Sequence, residues 1–194
     1  MPRNQFFGFF LFSKCLTYSS KSYKNIISAL SQPASPRRKP MDETTDKQRM
    51  ECHVRWMIRR DMPEVLAIET ESFEFPWLEE DFIRYFRQRN CIGAIAEHDN
   101  RVVGFMVYEL MRKRLHVANF AVAKEFRRRG IGGQMVAKLI SKLSSQRRRR
   151  IVLEVRETNL PAKDFFASLG FRVLFLLKNH FGESENAYLM QYML

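Results

Sequence analysis

Seven residues in the second half of the chain, Arg127-Arg128-Arg129-Gly130-Ile131-Gly132-Gly133, have the composition of an anion grip. A helix begins with backbone N–H groups that have no intrahelical partner, and its aligned peptide dipoles leave partial positive charge there. With no side chain at 130, 132 and 133, a phosphate can come close to those N–H groups. The arginines add charge at the rim. The ligand that suits such a loop carries several phosphate oxygens, as a pyrophosphate does. A Walker loop needs Gly-Lys-Ser/Thr after a longer spacer, and the dinucleotide fingerprint needs Gly-x-Gly-x-x-Gly; neither is present at this place. The plainer alternative is a glycine-loosened helix start beneath a solvated run of arginines.

A second candidate is Glu154. Ile151, Leu153 and Val155 alternate with Val152, Glu154 and Arg156, so a strand turns the glutamate away from the aliphatic row. Glutamate is disfavoured in strands, which marks this one as a candidate functional carboxylate; the alternative is a surface glutamate on an edge. Asn159 precedes Ala162, Phe165, Phe166 and Leu169 at three-and-four spacing and can cap that helix, which Gly170 ends. Cys15, Cys52 and Cys91 make no metal spacing, and Cys91 is too isolated to nominate as a nucleophile. His53, His98, His116 and His180 also lack metal spacing and are expected to be structural or exposed.

The elements that must position these groups follow from periodicity. Val54, Trp56 and Ile58 alternate as a first strand. Asp61-Met62-Pro63-Glu64 reads as an N-cap and a helix through about Phe73. Phe75-Pro76-Trp77 interrupts, and a second helix runs from about Glu79 to Arg89. Strands are expected at Ile92–Glu97 and Arg101–Leu110, joined by a His98-Asp99-Asn100 hairpin turn, and at Arg114–Ala123 before the glycine loop. After the loop, apolar Ile131, Met135, Val136, Leu139, Ile140 and Leu143 share one helix face. Strands at Phe171–Leu177 and Ala187–Leu194 close the chain.

At 194 residues the chain suits one domain with a sizeable core. Seven of its twelve net positive charges lie in residues 1–40, which hold no acid, so the remainder carries +5. Residues 1–50 are expected to be a basic, disordered extension and linker, and 51–194 the folded domain. A loosely fitting mitochondrial leader, or upstream sequence before a start at Met41 or Met50, are the alternatives for the extension. No apolar run approaches the roughly 20 residues that cross a bilayer, and sparse cysteine favours a reducing compartment; a cytoplasmic location is expected. Arg147–Arg150 reads as a solvated run without interleaved aromatics, so nucleic acid is not expected as substrate.

Taken together, Arg128-Arg129-Gly130-Ile131-Gly132-Gly133, Leu153-Glu154-Val155-Arg156, Asn159 and Leu169-Gly170-Phe171 resemble the GNAT superfamily of acetyl-CoA-dependent N-acetyltransferases. Within it, Phe75-Pro76-Trp77, Asn119-Phe120-Ala121-Val122 and a closing segment near Asn179 to Met190 resemble the bacterial ribosomal-protein-alanine N-acetyltransferases of the Rim group. The resemblance implies an α+β fold: a splayed, mixed, mostly antiparallel sheet flanked by about four helices. It implies acetyl-CoA as cosubstrate and no metal. The pyrophosphate would sit on the amides of Arg128, Arg129, Gly130, Ile131, Gly132 and Gly133. Backbone groups of Phe120, Ala121 and Val122 would pair with the pantetheine arm, and Asn159 would touch the same arm. The implied partner is a protein N-terminus, from a small-subunit ribosomal protein, with no membrane involved.

The resemblance also assigns Glu154 as general base, acting directly or through water on the attacking amine. An α-amine with a pKa of about 7.7–8.0 needs only a modest shift to become neutral at pH 7. A backbone amide of 120–122 would stabilise the oxyanion, and attack would be direct, in a ternary complex. The Rim group carries a tyrosine as thiolate proton donor where this chain has Phe166; Tyr108 and Tyr188 are the conceivable substitutes. The alternatives are a GNAT enzyme for a small amine or lysine side chain, and a catalytically weak acyl-CoA-binding module.

Overall fold

The computed structural model describes residues 49–181 and 185–194. The expected extension, up to residue 48, lies outside the described residues.

Two buried strands carry the centre of the sheet. β3 (Arg101–Leu110) and β4 (Arg114–Val122) are rich in Val, Phe and Leu and are covered on both faces, as near-continuous apolar strands require. β2 (Cys91–His98) reaches β3 through Asp99 and Asn100, whose φ values of 48° and 60° make a left-handed two-residue hairpin turn. With β1 (His53–Trp56), β5 (Arg150–Arg156), β6 (Arg172–Leu177) and β7 (Ala187–Met193), the order is β1-β2-β3-β4-β5-β7-β6. Every neighbouring pair is antiparallel except β4 and β5. The crossover between those two contains a helix, as a parallel connection needs.

That parallel pair is short. Pairing runs from Arg114 opposite Arg150 to Val117 opposite Leu153 and stops. At the same level the β3–β4 register slips between Val107 and Tyr108, leaving Ala118 as an extra residue on β4. Such a bulge bends its strand. Beyond it β4 stays with β3 while β5 stays with β7, and the sheet opens into a wedge.

Helices α1 (Met62–Ser72), α2 (Glu79–Phe86), α3 (Ile131–Ile140) and α4 (Leu160–Ser168) flank the sheet. The buried cluster joins Ile131, Met135 and Leu139 of α3 and Phe166 of α4 to Leu115, Val117, Ile151, Leu153 and Val155. The Phe166 ring stands 5.6, 5.0 and 5.3 Å from those of Phe120, Phe165 and Phe171. Gly170, at φ 93°, ends the chain's run after α4 in the left-handed region.

Several boundaries differ from expectation. α2 stops at Phe86, α3 at Ile140, and Ile58 lies outside β1. Asp61 does not cap α1 with its side chain: its carboxylate takes Arg55 at 2.7 and 2.9 Å and the Ile58 amide at 2.8 Å. A charged fork outcompetes a neutral helix amide for that carboxylate. Arg148, within the arginine run, donates to the Met111 carbonyl at 2.7 Å.

Phe166→Ala removes the hub of the four-ring cluster. The expected loss is roughly 3–5 kcal/mol of unfolding free energy in urea denaturation.

Candidate active site

The glycine loop leaves its amides open. Arg128 and Gly130 both take positive φ, 64° and 82°, and Gly130 is the residue from which α3 starts. Alternating left-handed residues curl successive N–H groups toward one point, a shape that receives anions. Among the described residues the amides from 128 to 133 have no protein acceptor; the first satisfied helical amide is that of Gln134, on the Gly130 carbonyl. Arg128 and Gly130 are exposed at the surface.

Each glycine has its own reason. Gly130 needs its left-handed backbone. A Cβ on Gly132 would stand 2.9 Å from Phe165 Cζ, so this glycine permits close approach of α4. A Cβ on Gly133 would meet nothing within 4 Å.

A strap from far upstream holds the loop. The Met50 amide donates to the Arg129 carbonyl at 3.0 Å, and Gln134 Nε2 donates to the Met50 carbonyl at 2.6 Å. Gln134 Oε1 accepts the Cys52 amide at 3.1 Å. Arg49 and Met50, on the extension side of the expected boundary, therefore belong to the loop's support. The Arg127 guanidinium is tied down beside the loop: Nε donates to the Val122 carbonyl at 2.8 Å and Nη2 to Ser72 Oγ at 2.9 Å.

The wedge leads from this loop. The Ala123 amide donates to the Val103 carbonyl. Hydrogen-bonded pairs alternate along an antiparallel ladder, so Ala121 pairs with Phe105 across β3–β4. Of the expected trio Phe120, Ala121 and Val122, Ala121 thus faces β3. The backbone groups of Phe120 and the Val122 amide point into the wedge, while the Val122 carbonyl on the same side is taken by Arg127 Nε. Asn159 starts α4 beside the wedge, with Oδ1 accepting the Ala162 amide at 3.1 Å. Its cap role is as expected.

Glu154 is the first β5 residue beyond the last β4 partner. Its Oε2 accepts a hydrogen bond from His116 Nε2 at 2.7 Å. Both side chains are largely buried, and His116 Nδ1 is buried without a partner among the described residues. Burial alone would raise the Glu154 carboxyl, but the bond and charge of His116 outweigh it and hold the carboxyl below its ordinary value. Burial likewise pulls His116 down, and Glu154 outweighs that and lifts it. Glu154 Oε1 carries no hydrogen bond among the described residues and is not closed off from solvent, so it can take a proton. His116 was expected to be merely structural or exposed. The signal lay in strand parity: it alternates with Leu115 and Val117 as Glu154 does with Leu153 and Val155.

Around the carboxylate, three segments meet at Arg156. Its guanidinium lies 5.7 Å from the Phe75 ring and 4.8 Å from the Phe181 ring, and it pairs with Glu185. Behind this stack Glu69, 1% exposed, accepts the Trp77 amide at 2.8 Å and Asn119 Nδ2 at 3.0 Å. Burial, against those bonds, raises its carboxyl. The turn at Phe75-Pro76-Trp77 is thus tied to β4. Burial and then the Glu109 charge push the Cys91 thiol up to about 11, which removes it as a nucleophile. Among the described residues no group of three or more His, Cys, Asp or Glu could hold a metal.

A sequence model described as the Acetyltransferase (GNAT) family matches residues 62–171. The chain belongs to the GNAT acetyltransferase family. It is an acetyl-CoA-dependent N-acetyltransferase, and acetyl-CoA is its cosubstrate. GNAT relatives include the ribosomal protein bS18-alanine N-acetyltransferase of Salmonella typhimurium, 29% identical over 125 residues that cover 64% of this chain and 84% of that one. An N-alpha-acetyltransferase of Sulfolobus acidocaldarius is 24% identical over 165 residues, 77% of this chain and 98% of the other. The crystal structure of the ribosomal-protein-alanine N-acetyltransferase from Escherichia coli superposes with a TM-score of 0.66 at 23% identity, covering 74% and 94% of the two chains. The resemblance carried by Phe75-Pro76-Trp77 and Leu153–Arg156 agrees with these relatives, and the splayed GNAT sheet is the one expected.

Two predictions follow from this GNAT site's geometry. In an NMR titration His116 keeps its proton above the ordinary imidazole value of 6.5. Glu154→Gln removes the partner but not the burial, and takes the histidine below 6.5. The raised imidazole contributes stability that is full below 6.5 and lost as pH rises through its folded value; the lowered carboxyl contributes stability that is full above 4.5 and lost as pH falls through its folded value. Denaturation midpoints therefore show a pair contribution centred between 4.5 and 6.5 that is missing in the variant. Separately, Gly133→Ala gains about 0.5–1 kcal/mol from helix propensity, whereas Gly130→Ala, forced to positive φ, loses about 1 kcal/mol or more; thermal unfolding of the two variants reads the opposite signs.

Proposed function

We propose that this GNAT enzyme acetylates the α-amine of a protein N-terminus, with the N-terminal alanine of a small-subunit ribosomal protein as the substrate. The observation that carries the reading is the Glu154 carboxylate at the head of the wedge, bonded to His116 on one oxygen and open on the other. The names of the Salmonella and Sulfolobus relatives support the choice of an α-amine, and the former supports a ribosomal alanine.

In this reading the diphosphate of acetyl-CoA rests on the amides of Arg128, Arg129, Gly130, Ile131, Gly132 and Gly133. The pantetheine amides pair with the open backbone groups of Phe120 and the Val122 amide, as an added strand would, and the Asn159 amide contacts the same arm. The incoming ammonium gives a proton to Glu154 Oε1, directly or through one water. The neutral amine attacks the thioester carbonyl, forming the C–N bond, and a wedge-facing amide of 120–122 stabilises the oxyanion; the nitrogen then gives its second proton to water as the C–S bond breaks. The carboxylate already ion-paired to His116 is a weaker base than a free one. Its advantage is position, since an α-amine is only partly protonated near neutrality.

The leaving thiolate gets no proton from Phe166, which is enclosed by three aromatic rings. Tyr108 is buried on the α3 side of β3, and Tyr188 lies opposite Val155 with its ring 5.1 Å from Lys163 Nζ. A thiol pKa of about 8.5 makes departure as thiolate, with later protonation by water, acceptable. Phe166 at this position also supports a second reading, an acyl-CoA-binding module with little chemistry. The location proposed is the cytoplasm, supported by the unpaired Cys52 and Cys91.

The test is mass spectrometry of ribosomal-protein N-terminal peptides, free and blocked, incubated with acetyl-CoA. Acetyl transfer is expected on the free alanine peptide alone; equal rates on a lysine side chain in the blocked peptide would refute α-amine specificity. Glu154→Gln is expected to lower kcat/KM by roughly 10²–10⁴-fold while acetyl-CoA binding is kept. Binding without turnover in the unaltered enzyme would establish the module instead.

A further inference from the structure

The strap ahead of β1 brings one more cation to the phosphate loop. Arg49 to Cys52 precede the first strand and lie outside residues 62–171, which the family pattern covers. Their main chain is fixed on the loop by the Met50 amide and carbonyl and by the Cys52 amide. Backbone alone supplies the strap's side of these three bonds. The Arg49 side chain is therefore not what holds the strap in place.

That side chain lies against the middle of the loop. A Cβ placed on Gly130 would stand 3.3 Å from Arg49 Cγ, 3.7 Å from its Nε and 3.9 Å from its Cδ. Gly130 thus has a second reason to lack a side chain, since a methyl there would press on Arg49. Arg49 is exposed, and its guanidinium has no hydrogen-bond or ion-pair partner among the described residues. Two of the loop's own arginines are less available. Arg127 is bonded to the Val122 carbonyl and Ser72. Arg129 Nη1 lies 3.2 Å from Met50 Sδ, with the guanidinium 5.8 Å from the Phe126 ring. Of the three, only Arg128 keeps its head group uncommitted among the described residues.

We propose that Arg49 is a further acetyl-CoA-binding residue, whose guanidinium takes the diphosphate from the strap side while the loop amides take it from the helix side. The proposal rests on the reading that the diphosphate sits on residues 128–133. A guanidinium is a planar fork whose parallel N–H groups match two phosphate oxygens. Gly130 lies at the centre of the open amides, so a side chain passing within 4 Å of it reaches whatever they hold. The site is exposed and screened by salt, which keeps the contribution modest, about tenfold in affinity.

Titration calorimetry of the full chain tests it with three ligands. Acetyl-CoA carries every phosphate, 3′-dephospho-acetyl-CoA keeps only the diphosphate, and S-acetylpantetheine has the thioester and arm alone. The unaltered protein is expected to bind the first two far more tightly than the third. Arg49→Ala weakens both of those about tenfold and leaves S-acetylpantetheine binding as it was. Arg49→Lys, which keeps the charge and loses the fork, recovers part of the loss. Unchanged acetyl-CoA affinity in Arg49→Ala would overturn the role of Arg49 and leave the diphosphate reading standing. S-acetylpantetheine binding as tightly as acetyl-CoA to the unaltered protein would overturn that reading and this proposal with it. Equal weakening of all three ligands would overturn the proposal in favour of a scaffolding role. A loss confined to acetyl-CoA would overturn the assignment to the diphosphate and move the contact to the 3′-phosphate.

Discussion

The molecule depends on a parallel strand pairing that lasts only four residues. β4 and β5 meet from Arg114–Arg150 to Val117–Leu153, and the bulge at Ala118 then turns β4 aside. Buried backbone groups left without partners are costly, so a sheet does not open without something to fill the gap. The outward groups of Phe120 and Val122 keep their strand geometry because β3 holds the other side of the same strand. The result is a slot between β4 and β5. Both the glycine loop and Glu154 derive their meaning from lying at its two ends.

A buried charge is tolerated only when it is matched. Glu154 and His116 meet that condition for each other across the β4–β5 seam, where the last ladder bond holds their strands at fixed separation. Glu69 meets it differently, through an amide N–H and an asparagine, which leaves its carboxyl raised and its place fixed. The first arrangement keeps one oxygen open toward the slot. The second closes both oxygens and serves to fasten the Phe75–Trp77 turn to β4. Two buried carboxylates in one domain are thus distinguished by what remains unoccupied.

Most of the architecture was legible because periodicity and turn chemistry agreed. Asp99-Asn100, Gly130, Asn159 and Gly170 each marked a local backbone shape that no tertiary contact overrode. Glu154 stood out because a glutamate inside an aliphatic strand is rare. His116 shares the strand parity of Glu154, between Leu115 and Val117, but its partner is not known until the neighbouring strand and register are. Sequence cannot tell which of Phe120, Ala121 and Val122 points to which neighbour; the ladder phase turns Ala121 to β3. Asp61 looked like a cap until Arg55, brought alongside by the fold, took its carboxylate. Gln134, whose amide bridges two distant segments, gave no hint at all.

The bracing of the phosphate loop by residues 49–52 has a practical corollary for anyone trimming the chain. A fragment cut to residues 62–171, where the family pattern matches, would retain every signature residue of the loop. It would also strip the Gln134 side chain of its bonds to Met50 and Cys52 and leave the Arg129 carbonyl without its donor. Catalytic machinery and the scaffold that keeps it in shape do not share boundaries here, and a minimal domain drawn by similarity alone would be drawn too tight.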